Sequence, residues 1–389
     1  MAKSTRKAPS GDGDVALTLL HTADWHLGKR FPSFPAEHEL RLTRARLEVV
    51  GRILDLAENR NVDAVLAAGD LFDAPDPGEQ WWRGVLKELQ KRRWQRPVIL
   101  LPGNHDPLMP RSVYHADHPF RAGLPDYVHV VDREGFTLAL SDTAVVIANP
   151  CRSHAGQTDL ASSLPKRESG DERFRIGLVH GQTFDIEGHQ TNFPIARGTA
   201  TEHGFDYLAI GDTHAFREVE PQAPVPTVYP GAPEATNFGE KDTGHVALVF
   251  FPRDRRRRAR VDAVKVGVWQ WREMVCRSMP ELRALSTASD LRNTVLRLKV
   301  QLAVPMDEFD EAERILTELR GSLAANPRVG VLLEDRTELR LATDAPLDFA
   351  NDLPEVLQAT VARLKAASVQ QPEYAERALH QLYRLLRKQ

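Results

Sequence analysis

The chain has 389 residues, 42% of them hydrophobic and 27% charged, with a formal net charge of −3. That length supports one large core and a second smaller one. A charge so near zero excludes a uniformly basic nucleic-acid binder, so any such surface must be a local cluster of Arg and Lys.

Residues 1–14, MAKSTRKAPSGDGD, are small and polar, lack the apolar core of a signal peptide, and are expected to form a disordered lead-in. No apolar run of membrane-spanning length follows them. Two cysteines, Cys151 and Cys276, are too few for a disulfide framework or a Cys-rich zinc site, which predicts a reducing, cytoplasmic setting. From Val15 onward one theme recurs, in which a short apolar run of strand length stops at a cluster of Asp, His, Asn or Gly. VALTLL precedes His21-Thr22-Ala23-Asp24, VDAVLAA precedes Gly69-Asp70, and PVILL precedes Pro102-Gly103-Asn104-His105-Asp106. RIGLV then precedes His180-Gly181, and YLAI precedes Gly211-Asp212-Thr213-His214. Between the first two lies a helical stretch, Leu40 to Arg60, with Leu47, Val50, Ile53, Leu54 and Leu56 on one face, and Trp82 to Gln90 reads as a second helix. Strands alternating with covering helices predict an α/β domain whose ligands gather outside the carboxyl ends of the strands.

Past Gly244 the pattern changes to antiparallel strands, HVALVFF and ARVDAVKVGVW, joined by the turn PRDRRRR. Near Asn293 a period-two strand begins, with Leu296, Leu298, Val300, Leu302 and Val304 on one face. A helix carrying Phe309, Ala312, Ile315, Leu316 and Leu319 and then the strand VGVLLE complete a small β-α-β unit. The last forty residues are helical and amphipathic, with one stripe through Leu353, Val356, Leu357, Val361 and Leu364 and another through Ala378, Leu382, Tyr383 and Leu386. The domain expectation is a lead-in over 1–14, a catalytic domain over 15–275, a capping domain over 285–345 and a helical segment over 346–389.

Asp24, His26, Asp70, Asn104, His180, Asp212 and His214 supply seven oxygen and imidazole ligands, a mixture suited to Mn²⁺, Fe, Zn²⁺ or Mg²⁺ and a number suited to two ions. Two cations about 3.5–4 Å apart can share one carboxylate and clamp an in-line phosphoryl displacement by a bridging hydroxide. Asp70, between the flanking ligands, is the natural bridge. A lone Asp-x-His arises by chance in about one of every two chains of this size, whereas Gly103-Asn104-His105-Asp106 is expected in roughly one in several hundred. The order and strand-end placement of all five elements carry the reading.

These motifs, DxH, GDxxD, GNHD, a later xHG and a final GDxH, resemble the signature of calcineurin-like metallophosphoesterases over residues 15 to about 245. HTADWHLG, AAGDLFD, LPGNHD and YPGAPEATNFGE at Tyr229 to Glu240 make the chain most similar to SbcD-type nuclease subunits. The resemblance implies two packed mixed sheets flanked by helices, a small capping domain and C-terminal helices. It assigns Asp24, His26, Asp70 and His214 to one metal and Asp70, Asn104, His180 and Asp212 to the other. It makes His105 the transition-state residue, and Asp73 the candidate carboxylate that orients it. The family's usual last element is Gly-His-x-His, so Asp212 stands where a histidine is expected. That carboxylate favours harder ions, Mn²⁺ or Mg²⁺ over Zn²⁺.

The implied activity is hydrolysis of DNA phosphodiesters in repair or processing, with endonuclease or exonuclease preference left open. Lys29 and Arg30 follow the first metal motif, and Arg253, Arg255, Arg256, Arg257 and Arg258 form a basic turn, both candidates for phosphate contact. A basic turn that is merely solvated is the ordinary alternative. The resemblance also implies a homodimer and an SMC-like ATPase partner of the SbcC type, for which the C-terminal stripes could serve; equally they could pack on the chain's own cap. A small-molecule phosphodiesterase and a non-catalytic DNA-binding scaffold are the alternative functions.

Overall fold

The computed structural model describes residues 14–183, 191–288, 290–320, 329–342, 353–369 and 372–387. The expected lead-in thus lies outside the described residues but for Asp14. Packing divides the chain into two compact units. The first is Met1–Glu273 with Asp290–Arg297 and Val329–Leu333; the second is Met274–Ser289 with Leu298–Arg328 and Glu334–Gln389.

In chain order the elements begin β1 (Val15–Thr22), α1 (Ala36–Asn59), β2 (Ala64–Ala68), α2 (Glu79–Gln90), β3 (Val98–Leu101), α3 (Pro119–Ala122), β4 (Val128–Val130) and β5 (Phe136–Ser141). There follow β6 (Ala144–Ala148), β7 (Phe174–His180), β8 (Gln182–Thr183), β9 (Pro194–Ile195), α4 (Thr199–Glu202), β10 (Tyr207–Gly211), β11 (Arg217–Val219) and β12 (Thr227–Tyr229). The hairpin β13 (His245–Pro252) and β14 (Arg260–Lys265) closes this series.

Two six-stranded sheets result, ordered β14-β13-β1-β2-β3-β4 and β11-β12-β10-β7-β6-β5. Strands β1 to β4 are mutually parallel, as are β6, β7, β10 and β12, while the flanking strands run antiparallel. The expected pair of mixed sheets is therefore present. Layering explains why the strands read as continuous apolar runs, since both faces are covered. Leu19, Leu66 and Ile99 point inward against Val146, Ile176, Leu178 and Ala209 of the second sheet. Their neighbours Leu20, Val65 and Leu100 point outward against Val50, Ile53 and Leu54 of α1 and Val85 and Leu89 of α2. Helix α1 begins at Ala36, four residues before the start expected from the sequence, because Pro35 presets the backbone and Glu37 and Glu39 favour a first turn.

The five strands named from the sequence all run parallel within their sheets, so each sheet presents its polar strand ends at one edge. Strand β13 lies antiparallel to β1, with His21 opposite Ala247 and Val15 opposite Pro252. The arginine turn after Pro252 consequently sits at the other end of the sheet, about 23 Å from the carboxyl edge at 3.3 Å per residue.

Beyond the hairpin come β15 (Gln270–Cys276), α5 (Met279–Thr287), β16 (Thr294–Val304), α6 (Met306–Arg320), β17 (Val331–Leu341), α7 (Glu355–Ala367) and α8 (Pro372–Arg387). A three-stranded sheet has the order β15-β16-β17. Leu302, Val304, Ala312, Ile315, Leu316 and Leu319 are buried, and Arg283 pairs with Glu311 at 2.6 Å. Strand β17 runs well past VGVLLE because its polar half is held by cross-strand pairs, Glu338 with Lys299 at 2.5 Å among them. In α7, Val361 is buried but Val356 is 76% exposed, so the expected stripe is only partly covered. Among the described residues no helix is long and apolar enough to cross a membrane.

Candidate metal centre

The turns that leave the strands are tight enough to force unusual backbone. Asp24, His26, Asp70 and Asp212 have φ of 55°, 45°, 53° and 107°, values that non-glycine residues rarely adopt. Such conformations persist where the surroundings over-determine them, and here they do. The Asp24 and His26 amides donate to Gly69 O and Asp70 O at 3.0 and 2.9 Å. The His105 amide donates to Asp70 Oδ1 at 2.8 Å, and the Asp212 amide to Asp24 Oδ1 at 3.1 Å. Gly69 combines a φ of 89° with close approach, since a Cβ there would collide with the His180 ring. At Gly103 the reason is space alone, a Cβ meeting the Asp70 carboxylate.

Three histidines, His26 and His180 buried and His214 partly buried, are each held by one nitrogen. His26 Nδ1 lies 3.1 Å from Asp73 Oδ1, His214 Nδ1 2.8 Å from Glu240 Oε1, and His180 Nδ1 2.8 Å from Ala68 O. Each acceptor draws the proton to Nδ1 and leaves Nε2 to face the centre, the arrangement by which proteins orient metal-binding imidazoles. His26 Nε2 and His214 Nε2 are 3.1 Å apart. His180 Nε2 lies 2.8 Å from Asn104 Oδ1, 3.4 Å from Asp70 Oδ2 and 3.7 Å from Asp212 Oδ1. His26 Nε2 is 3.9 Å from the same Asp70 Oδ2, which places Asp70 between the two groups. All seven residues expected as ligands are thus brought together.

Electrostatics marks the place as one that draws cations. Burial, with Asp70 and Asp212 adding to it, pushes the Asp24 carboxyl up to about 7, against the pull of His180 and His214. Burial also disfavours the His180 cation, yet Asp70, Asp212 and Asp24 raise it well above the ordinary histidine range. The donors available, carboxylates, an amide oxygen and imidazole nitrogens, fit one or two divalent ions. Asp24, His26 and His214 form one group that could hold a metal ion, with ligand atoms within 4.8 Å of one another, and Asp24, Asp70 and His180 form another.

The His105 side chain is 45% exposed at the rim, its ring set edge-on to His26 with centroids 4.8 Å apart. Its Nδ1 lies 3.8 Å from Asp73 Oδ1, beyond hydrogen-bond reach, so Asp73 serves His26 first. Lys29 reaches the same carboxylate at 3.9 Å, whereas Arg30 turns away to Glu39 at 2.6 Å. The basic turn is not brought to the centre. Arg255 bonds Asp206 at 3.3 Å and covers the Phe174 ring, Arg257 pairs with Asp14, and Arg258 pairs with Glu218. Arg256 uses its amide on Asp254 within the turn.

The sequence reading missed several supports. Glu240, at the end of YPGAPEATNFGE, accepts from His214 and from the Thr236 amide at 2.7 Å. Burial works against its charge, but His214 and Thr236 hold it at about 2. Asp106 is wholly buried and accepts from the amides of Gly103 and Phe72 at 2.8 and 2.9 Å and from Tyr114 Oη at 2.7 Å, joining two ligand-bearing loops. Arg46 on α1, also buried, donates to the carbonyls of Trp25, Glu234 and Ala235 at 2.7, 3.2 and 3.2 Å. A sixth strand end, the run after Ala148 that carries Asn149 to His154, also lies here; its signal was the apolar stretch AVVIA stopping at Asn149-Pro150.

Comparison with known proteins agrees with the geometry. The uncharacterized metallophosphoesterase YhaO of Bacillus subtilis is 27% identical over 240 residues, 59% of this chain and 55% of that protein. The SbcD component of the nuclease SbcCD from the same organism is 36% identical over 93 residues, 23% of this chain and 22% of that one. The DNA double-strand break repair protein Mre11 of Sulfolobus acidocaldarius is 31% identical over 209 residues, 52% of this chain and 50% of its own length. The chain spans about half the length of these curated relatives, or less. The family model of the calcineurin-like phosphoesterases matches residues 17–216, which hold all five strand ends named from the sequence, and the chain belongs to that family.

Proposed function

We propose that the chain is a two-metal phosphodiesterase whose substrate is DNA. The observation that carries the reading is the set of three imidazoles, His26, His180 and His214, each fixed through Nδ1 and aiming Nε2 at the carboxylates around Asp70. Asp24, His26, His214 and Asp70 would hold one ion, and Asp70, Asn104, His180 and Asp212 the other. When bound, two divalent ions supply Lewis acidity and an acidified water to a phosphodiester. The protein's part is to place the phosphate and to move a proton. His105, exposed at the rim beside His26, is positioned to protonate the departing alkoxide. Asp212 adds a hard oxygen and negative charge, which supports Mn²⁺ or Mg²⁺ over Zn²⁺.

DNA as substrate is supported by the names of two relatives, a nuclease component and a double-strand break repair protein. Lys29, 3.9 Å from Asp73, is a cation at the rim of the centre available to a phosphate backbone. Val356, Tyr374 and Leu385, exposed on α7 and α8, support a docking partner there, whether a second copy of the chain or an ATPase.

The test is to strip the protein of metal and incubate it with end-labelled single- and double-stranded DNA and Mn²⁺, Mg²⁺ or Zn²⁺ in turn. Mn²⁺-dependent cleavage lost in Asp70→Ala and His105→Ala is the expected result. Hydrolysis of bis(p-nitrophenyl) phosphate with intact DNA would keep the chemistry and reject the substrate. DNA binding without turnover of either would leave a scaffold.

A further inference from the structure

Strand β6 runs parallel to β7 with Ala148 opposite Leu178, so the chain leaving β6 emerges beside His180 at the same edge. The segment that follows is held from several sides. The Cys151 amide donates to Pro102 O at 3.1 Å and the Leu108 amide to Cys151 O at 2.8 Å, bracketing the loop of Asn104 and His105. The Cys151 thiol faces His180 O at 3.7 Å. Asn192 secures the far end, with Nδ2 donating to His154 O at 3.0 Å and Oδ1 accepting from the Gly156 amide at 2.9 Å. Held in this way, His154 sets its Nδ1 2.9 Å from the backbone oxygen of Asn104, while the residue stays exposed.

A carbonyl can only accept, so Nδ1 carries a proton and Nε2 is the nitrogen left for a ligand. Capping one carbonyl at the surface does not call for a tethered imidazole, because water makes nearly the same bond. The oxygen capped belongs to Asn104, whose own side chain faces His180 at 2.8 Å and whose neighbour is His105. We propose that His154 is a substrate-contacting residue, held against the loop of Asn104 and His105, whose Nε2 hydrogen-bonds a non-bridging oxygen of the phosphate. The identity of the reaction rests on the phosphodiesterase reading above, but the contact itself requires only that the centre bind phosphate.

The experiment measures calorimetric binding of Mn²⁺, and then of inorganic phosphate to the Mn²⁺-loaded protein, for the unaltered chain, His154→Ala and His154→Gln. Hydrolysis of bis(p-nitrophenyl) phosphate is followed in parallel. Expected are unchanged Mn²⁺ affinity and phosphate binding weakened about tenfold in His154→Ala, the weight of one charge-assisted hydrogen bond. His154→Gln, which keeps an N–H donor, recovers part of the loss, and KM for the diester rises more than kcat falls. Phosphate affinity unchanged in His154→Ala, or no phosphate binding by the unaltered chain, overturns the proposal. A parallel fall in Mn²⁺ affinity also overturns it, by showing that His154 merely supports Asn104. If phosphate binding depends on His154 but no diester is hydrolysed, the contact stands and the phosphodiesterase reading falls.

Discussion

Glu240 stands behind His214, fixing its ring and drawing that ring's proton to Nδ1. Replacing it by Gln removes the charge and keeps the shape. Mn²⁺ affinity at that position is expected to fall about 10- to 100-fold, as carboxylates behind ligating histidines generally do, while the circular dichroism spectrum stays unchanged. Titration of metal-free protein with Mn²⁺ checks this, and an unaltered affinity would remove Glu240 from the account. His21 offers a second test. Burial lowers its pKa to about 3, with its Nδ1 2.9 Å from the Tyr207 hydroxyl. Because the folded pKa lies below the unfolded one, the unfolded chain binds the extra proton. His21 therefore contributes stability above pH 6.5 that is lost as pH falls toward 3. In His21→Gln the slope of stability against pH in that window should be shallower by up to about 1.4 kcal/mol per pH unit. Urea unfolding at several pH values would show it.

Among the elements, α1 does more than cover a sheet. Through Arg46 it gathers the carbonyls of Trp25, Glu234 and Ala235, tying the Asp24–His26 turn to the segment leading to Glu240. Arg46→Met leaves these buried acceptors without a donor and is expected to destabilise the fold by roughly 3 kcal/mol, at about 1–3 kcal/mol for each group left unpaired. A denaturant midpoint that hardly moves would be too small an effect for this role. The hairpin β13–β14 shows the reverse case, a basic turn far from the chemistry. Replacing Arg255, Arg256, Arg257 and Arg258 by Ser should leave hydrolysis of a small diester within about twofold, since the turn lies about 23 Å from the centre by strand rise. A large loss of turnover would mean that the turn reaches the site.

What the sequence made legible follows from the same contrast. Asp24, Asp70, Asn104, His180 and His214 could be read because each lies where an apolar run stops, a pattern local to a few residues. Arg46 could not, for a helical arginine looks solvated until tertiary packing buries it. Asp73 was matched to His105 alone, and its contact with His26 at 3.1 Å, nearer than the 3.8 Å to His105, could not be read from the sequence because the turn after β2 sets it. Strand β17 outran its reading because its polar half is stabilised by partners such as Lys299, distant in sequence.

At the scale of the whole molecule, metal and stability are linked. An ion that binds only the folded chain adds about 2.7 kcal/mol at a free concentration about one hundred times its Kd. Removing Mn²⁺ with a chelator should then lower Tm by at least about 2–4 °C, the response expected of a chain with a core of this size. The same scan on Asp70→Asn, which alters the residue proposed to serve both ion positions, should show a smaller chelator effect. Equal shifts in the two proteins would place the ion elsewhere.

The residues brought together at the centre span Asp24 to His214 in sequence, and the turns that carry them rest on strands paired with partners distant along the chain. Bringing such distant segments together is slow, because loop-closure entropy must be met before the contacts form. The centre is therefore a late product of folding rather than a nucleus for it. In a stopped-flow refolding experiment, Mn²⁺ uptake should appear with the slowest phase of sheet packing, and adding the ion at the start should slow unfolding without hastening refolding.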